Sequence, residues 1–550
     1  MAASLRHLRK KTFFWLGALL LFAFFSSCVG TSGPPSPGPA HPVAAPKQPD
    51  PQPQTSSVHV TLIQLNDIYE ITPVSGGRWG GPARVATVRK QLEAENPNTF
   101  TLLAGDLFSP SALGTARVNG ERLAGRQMVA VLNVMGLDYA TFGNHEFDLN
   151  EEQFLHRMEE SEFEWVATNV TDARGGLFPK TEKHKVLTVR NAHGDPFRIG
   201  MIGLCFDGIN PDYVQFLDPI ETAREEVALL EGSVDAIVAI THLPVGQDIS
   251  LAQAVPELDL ILGGHEHENM RLFRGSDLTP ILKADANVRT LYVHDLRFDP
   301  GSGSLEIDSR LVPITDAIPD DPATLDVAEK WVELGFAGFR ESGFDPWEVV
   351  ADVPSPLDGL EVSVRNQSTG LTRLIADAMF AEVDGADGAL LNSGSVRIDD
   401  VITPGPLSQY DVIRILPFGG PVVAVEMKGD LLLRVLDQGE RNKGGGGFLQ
   451  RANLEKDGDG SWRVGREPIA RDRNYRIAVA DYLISGSEQG FEFLNPDHPG
   501  LTVLFEARDV RLALIGELER VFGSSQVQPR GRVLGPAPGP VPGAAPPAGT

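Results

Sequence analysis

From position 58 the chain alternates short apolar runs with amphipathic stretches. VHVTLIQL (58–65), TFTLLAG (99–105), LDYATFG (137–143), VDAIVAI (234–240) and LDLILGG (258–264) have the length and β-branched content of buried strands. Between them Ala83–Glu95 and Gly125–Met135 carry a helical pattern. This alternation persists to about residue 315 and predicts an α/β unit. A helical stretch, Pro322–Arg340, then bridges to a second region, where the strand-like VVAVEM and YRIAVA alternate with the helix-like Thr369–Phe380 and Gly429–Leu436. No repeat of fixed period is present.

The ends of the chain read differently. Arg6, Arg9, Lys10 and Lys11 precede the apolar run Phe13–Phe25 and then Ser26-Ser27-Cys28, the order of an export signal. Cys28 after a small pair resembles a bacterial lipobox, with Phe25 where that pattern prefers Leu. Lipidation of Cys28 is the expectation, with an uncleaved anchor or lipid-free cleavage as the alternatives. Thr31–Gln54 is rich in Pro, Gly, Ser and Ala and cannot build a core, so it reads as a tether. The expected organisation is a signal over 1–27, a tether over 28–56, a first domain over 57–315, a linker with its bridging helix over 316–344, a second domain over 345–525 and a disordered tail over 526–550. The formal charge of −26, or −30 without the four basic residues of the signal, argues against nucleic-acid polymers as partners. It leaves room for a small anion at a locally positive site. Only Cys205 remains as a second cysteine, so no disulfide framework within the chain is expected, and its apolar surroundings predict an inert buried thiol.

The chemistry lies where the strands stop. The five runs lead into Asn66-Asp67, Asp106, Asn144-His145-Glu146-Phe147-Asp148, Thr241-His242 and His265-Glu266-His267. Strands of an α/β layer present their C-terminal ends to one crevice. Five such ends bearing Asp, Asn or His make an oxygen and imidazole set suited to divalent transition metals, zinc or manganese above all. A carboxylate shared between two ions would give a two-metal site able to neutralise a phosphate.

These blocks resemble the 5'-nucleotidase family of calcineurin-like metallophosphoesterases, whose pattern is ND-x-H, GD, GNHE-F-D, a strand-end His and GGH-x-H. The resemblance implies a four-layer αββα sandwich followed by a 5'-nucleotidase-type α/β domain. It implies one ion on Asp67, Asp106 and His267, and a second on Asp106, Asn144, His242 and His265. It assigns His145, oriented by Asp148, to catalysis. Tyr69 stands where the family has His, and three roles are open to it: a phenolate ligand, a protonated donor beside the metal, or a packing residue. Over 345–510 the resemblance continues, implying substrate contacts by Arg365, Asn392, Arg397, Phe418 of the PFG turn and Phe491 of the late GF pair, the two rings sandwiching a base. Here the chain departs further, with Asn366 after the arginine and Glu488 within Gly486–Phe491. Gly444–Gly447 lacks a following GK[ST] and reads as a mobile surface loop. The implied function is hydrolysis of nucleotide phosphate esters by an exported, membrane-tethered enzyme of the periplasm or cell envelope. Cyclic nucleotides and nucleotide sugars are the alternative substrates, and a surface binding module with weakened catalysis is the alternative outside enzymes.

Overall fold

The computed structural model describes residues 57–523; the segments expected as signal, tether and tail, with Cys28, lie outside them. The first region builds two facing sheets. In the first, Val58–Leu65 lies parallel to Thr99–Ala104, which leads on through Tyr139–Thr141 and Glu164–Val166 to Thr181–Glu182. On its other side Thr290–Asp299 and Ser304–Pro313 add antiparallel strands. The second sheet runs in the order Met270–Arg274, Thr279–Lys283, Leu260–Gly263, Ala236–His242, Pro196–Cys205 and His184–Arg190.

Period-two alternation explains the layering. Val58, Val60 and Leu62 face Phe197, Ile199, Val238 and Leu260 of the opposite sheet, whereas Ile63 and Leu65 face the outer helices. Helices Pro82–Glu95 and Arg126–Met135 cover the first sheet, and Pro219–Leu230 and Val245–Ala254 the second, giving the four layers α, β, β and α. Cys205 is buried here with its thiol pKa pushed up, by burial first, as an inert thiol requires.

Helix Pro322–Glu341 starts on an Asp321 cap whose carboxylate accepts from the Thr324 N–H, with Pro322 at its first position. It packs Ala328, Val332, Phe336 and Phe339 onto the first domain, and at Gly338 it approaches the Arg117 carbonyl too closely for any side chain. Beyond it, five strands in the order Leu449–Ala452, Gly388–Asn392, Asn474–Ala480, Pro421–Lys428 and Leu501–Asp509 form the second domain's sheet. Helices Gly370–Glu382 and Val510–Phe522 cover one face, and Gly429–Arg441 the other. Tyr410 of this domain packs at a tilt against Phe336, 4.7 Å between ring centroids, so the two domains share apolar contact. The chain is a two-domain α/β protein.

Candidate active site

The strand ends meet as their order predicts. Asp67, Asp106 and His265 all leave their strands with φ between 52° and 81°, a left-handed conformation that costs a non-glycine residue about 1–3 kcal/mol. Three glycines make room for these turns. A Cβ on Gly105 would lie 2.6 Å from His242 Nδ1, one on Gly264 would lie 2.9 Å from that atom and 3.1 Å from Asp67 Oδ2, and one on Gly143 would strike Asp106 Oδ1.

Ligand atoms of Asp67, Asp106 and His242 lie within 4.8 Å of one another, all buried. Nδ1 of His242 faces the Ala104 carbonyl at 2.8 Å, which turns Nε2 toward Asp106 Oδ2 at 3.3 Å and Asn144 Oδ1 at 3.2 Å. The His265 ring stands 5.4 Å from that of His242 and edge-on to Phe206. His267 presents Nε2 at 3.7 Å from Asp67 Oδ1. Thus the structure gathers Asp67, Asp106, Asn144, His242, His265 and His267 at one place.

Among the described residues neither Asp67 nor Asp106 pairs with a lysine or arginine; only imidazoles offset them. The electrostatics record the strain. Burial alone would neutralise His242 and His267, yet the surrounding carboxylates raise them to about 9 and about 10. Burial, joined by repulsion from His242, drops His265 to about 2, leaving it a neutral donor atom. Burial raises Asp67, whereas the imidazoles of His242 and His145 overcome burial at Asp106 and hold it low. Buried carboxylates without a lysine or arginine partner, a neutral His265, and two imidazoles whose protons a metal ion would displace make a donor set that fits divalent metal.

Tyr69 is part of this cluster. Its hydroxyl lies 2.9 Å from Asp106 Oδ2, 3.2 Å from Asp67 Oδ1 and 3.1 Å from His267 Nε2. Burial first, then the charges of Asp106 and Asp67, push its pKa well above 10, so the phenol is a donor to these carboxylates. The ring is buried but the hydroxyl is engaged.

His145 stands beside Asp106, whose Oδ1 accepts the His145 N–H at 2.9 Å. Its Nδ1 is 2.9 Å from Asp148 Oδ2, which also accepts from Ser109 Oγ at 2.7 Å. Burial opposes ionisation of Asp148, but His145 and these hydrogen bonds lower its pKa below the usual carboxylate value.

From the second domain come Arg365, 2.6 Å from Glu361 Oε1, and Arg397, whose guanidinium lies 5.8 Å from the Phe418 ring centroid. Arg397 Nε is buried without a hydrogen-bond partner. Arg365, Glu361 and His267 line a cavity of about 700 Å³ between the domains, with Trp79 and Arg289 opposite. Asn392 is buried, donating to Glu488 Oε2 at 2.7 Å and accepting from Ser395 Oγ at 2.7 Å. Both ends of its amide are thus engaged within the second domain. Phe418 is 49% exposed, but Phe491 is fully buried among Leu432, Leu436 and Leu483. The expected pairing of Phe418 with Phe491 is therefore not what the structure brings together, because the 486–491 turn closes inward through Phe491 N–H to the Glu488 carbonyl at 2.9 Å. Tyr482 is 48% exposed, and its neighbour Asp481 abuts the 417–420 turn, where a Cβ on Gly420 would lie 2.7 Å from Asp481 Oδ2. The glycines of 444–447 are tied down, Gly444 N–H to the Arg365 carbonyl and the Gly446 carbonyl to Gly394 N–H, both at 2.8 Å.

Other contributors carry no strand-end signal. Glu146 accepts four backbone N–H groups, from Asp106, Leu107, Phe108 and Gly143, and so welds two metal-site loops together. Burial and the Asp106 charge raise its pKa to about 7. Lys283, fully buried, donates to the carbonyls of Leu243 and Gly264 at 2.7 and 2.8 Å, just beyond His242 and just before His265.

A catalytic layer of this architecture, with these strand-end donors, defines a calcineurin-like phosphoesterase; the model of that family matches residues 60–269, and that of the 5'-nucleotidase C-terminal domain matches 349–495. The chain belongs to the 5'-nucleotidase family of calcineurin-like phosphoesterases and is a metal-dependent phosphoesterase. It is 28% identical over 507 residues to the trifunctional nucleotide phosphoesterase protein YfkN of Bacillus subtilis, covering 82% of this chain but only 33% of that one. It is 26% identical to a 5'-nucleotidase of Vibrio cholerae, over 80% of this chain and 87% of the relative. Among solved structures, the 5'-nucleotidase precursor of Thermus thermophilus has the same fold, with a TM-score of 0.70 at 24% identity, covering 84% of this chain and 97% of that one.

Proposed function

We propose that this protein is an exported phosphohydrolase that removes phosphate from nucleotides, with nucleoside 5'-monophosphates its leading substrates. The single observation that carries the reading is the convergence of a buried Asp/Asn/His cluster, a His145–Asp148 pair and two arginines of the second domain on one interdomain site. One ion would be held by Asp67, Asp106 and His267 beside the Tyr69 hydroxyl, and a second by Asp106, Asn144, His242 and His265. Two divalent ions bound there, zinc or manganese, would supply the positive charge and Lewis acidity that phosphoryl transfer needs.

The chain's own groups do the rest. With Nδ1 engaged by Asp148, His145 keeps Nε2 for the substrate, where it gives a proton to the leaving oxygen as the phosphorus–oxygen bond breaks and water's oxygen takes its place. Arg397, with its unpaired buried Nε, and Arg365 offer guanidinium donors to phosphate or ribose oxygens. Phe418 and Tyr482 offer exposed aromatic faces to a planar base. The order of basic, apolar and small residues in 1–27 supports export, and Cys28 supports a lipid anchor to the membrane; mass spectrometry of the mature N-terminus in wild type and Cys28→Ala decides both.

The test is phosphate release by the purified protein from nucleoside monophosphates, cyclic nucleotides and nucleotide sugars, with manganese or zinc. Release from the monophosphates is expected to dominate. A protein that releases nothing from any nucleotide with either ion would refute the proposal.

A further inference from the structure

The donor side chains of the cluster are held in place from behind, and the source of that support differs among them. His242 Nδ1 faces the Ala104 carbonyl at 2.8 Å, and His145 Nδ1 faces Asp148 at 2.9 Å, both partners within the first domain. His267 is the exception. Its Nδ1 lies 2.8 Å from Oδ2 of Asp399, which stands in the second domain.

Asp399 is itself fixed on three sides. Its Oδ1 accepts the Glu361 N–H at 2.8 Å, its carbonyl accepts Arg289 Nη2 at 2.6 Å, and its backbone holds φ of 39°, a left-handed conformation that a non-glycine residue keeps only when its surroundings impose it. The next residue continues the seam: Asp400 accepts Ser75 N–H and Oγ at 2.8 and 2.7 Å, and its carboxylate stands 3.4 Å from Arg289. Arg414 closes it with Glu70 at 3.1 Å.

We propose that Asp399 is the positioning carboxylate of His267, and that because it belongs to the other domain, metal binding at His267 and docking of the two domains are linked. A carboxylate behind a ligating imidazole fixes its tautomer and ring plane, and losing it typically lowers metal affinity about 10- to 100-fold. Undocking the second domain removes the same partner. Reciprocity then requires that metal favour the docked arrangement by the same factor by which docking favours metal. The proposal rests on the reading of His267 as a metal ligand.

The test compares wild type, Asp399→Ala and Asp399→Asn in the full chain. Manganese affinity is read by calorimetry, and the radius of gyration by small-angle scattering with manganese and after chelation. Wild type is expected to bind manganese and become more compact with it. Asp399→Ala is expected to lose at least tenfold in affinity and to show no manganese-dependent compaction, while Asp399→Asn, whose amide oxygen still accepts from Nδ1–H, recovers part of both. Affinity in Asp399→Ala within twofold of wild type would overturn the positioning role. Compaction that survives in Asp399→Ala, or is absent in a wild type that binds manganese, would overturn the linkage. A wild type that binds no manganese would instead defeat the underlying metal-site reading.

Discussion

Replacing Lys283 with Met removes a buried cation without opening a cavity. Lys283 Nζ stands 2.8 Å from Asp248 Oδ2, pairs with Glu266, and donates to two carbonyls. Asp248 is fully buried and its other oxygen already accepts from Thr241 Oγ1 at 2.7 Å. Methionine fills the channel but leaves that carboxylate uncompensated. Breaking a buried ion pair from one side costs about 3–5 kcal/mol, and carbonyls left short of a donor push toward the upper end. With a urea dependence of about 3 kcal/mol/M, the midpoint of first-domain unfolding should fall by more than about 1 M. Urea titration of metal-free protein, followed by tryptophan fluorescence to which the buried Trp165 of the first domain contributes, reads this. Burial already raises the Asp248 pKa against the pull of Lys283, so removing the lysine raises it further. The deficit should therefore shrink as pH falls from 8 to 5 and Asp248 takes up a proton, and Lys283→Met/Asp248→Asn should recover part of it. A midpoint shift below about 0.3 M at pH 8 would refute the claim that this lysine holds the loops around His242 and His265.

His145→Ala should cut turnover by about 10²–10⁴-fold with metal content unchanged, checked by phosphate release beside elemental analysis. Phe418→Ala and Tyr482→Ala should each raise KM for nucleoside monophosphates while leaving release from a base-free phosphate ester unaltered. His294 is buried between Ser309 Oγ at 2.8 Å and Gln64 Oε1 at 3.0 Å, and burial lowers its pKa to about 3. Its unfolded form takes a proton near pH 6.5, so the native state keeps this residue's full contribution above that pH and loses it as pH falls toward 3; urea titrations should show the advantage of wild type over His294→Gln shrinking by a few kcal/mol from pH 7.5 to pH 4. Chelation of divalent metal should lower the melting temperature, since ion at a thousandfold its Kd stabilises the native state by about 4 kcal/mol; scanning calorimetry before and after chelation checks it.

The catalytic layer was legible because two sequence regularities coincide there. Period-two strands mark their own ends, and the residue after each buried run is the one the sheet presents to the crevice, so Asp67, Asp106, His242 and His265 could be read as a set. What stayed hidden depends on contacts between distant parts of the chain. Asp399 reaches His267 across 132 residues and a domain boundary, and nothing in the local RIDD sequence marks it. Nothing in the local TPILK sequence marks Lys283, and Glu146 lies inside a recognised block without its four-donor role being apparent. Phe491 shows the opposite failure. Its motif was readable, but whether a ring points outward depends on the turn around Glu488, and hydrophobic character alone sends it into the core. Tyr69 was visible as a departure, and only three dimensions show its hydroxyl facing three donor side chains.

The central claim is that Asp106, buried and shared among the Tyr69, His145 and His242 contacts, anchors a metal-dependent phosphohydrolase centre. It is tested most directly by phosphate release from a nucleoside 5'-monophosphate, titrated with manganese, in wild type and Asp106→Asn. Wild type should show release that rises and saturates with the ion, and Asp106→Asn should lose about 10²–10³-fold, the scale of removing a group that acts in the transition state. Release by Asp106→Asn within tenfold of wild type, or wild-type release indifferent to the ion, would contradict it.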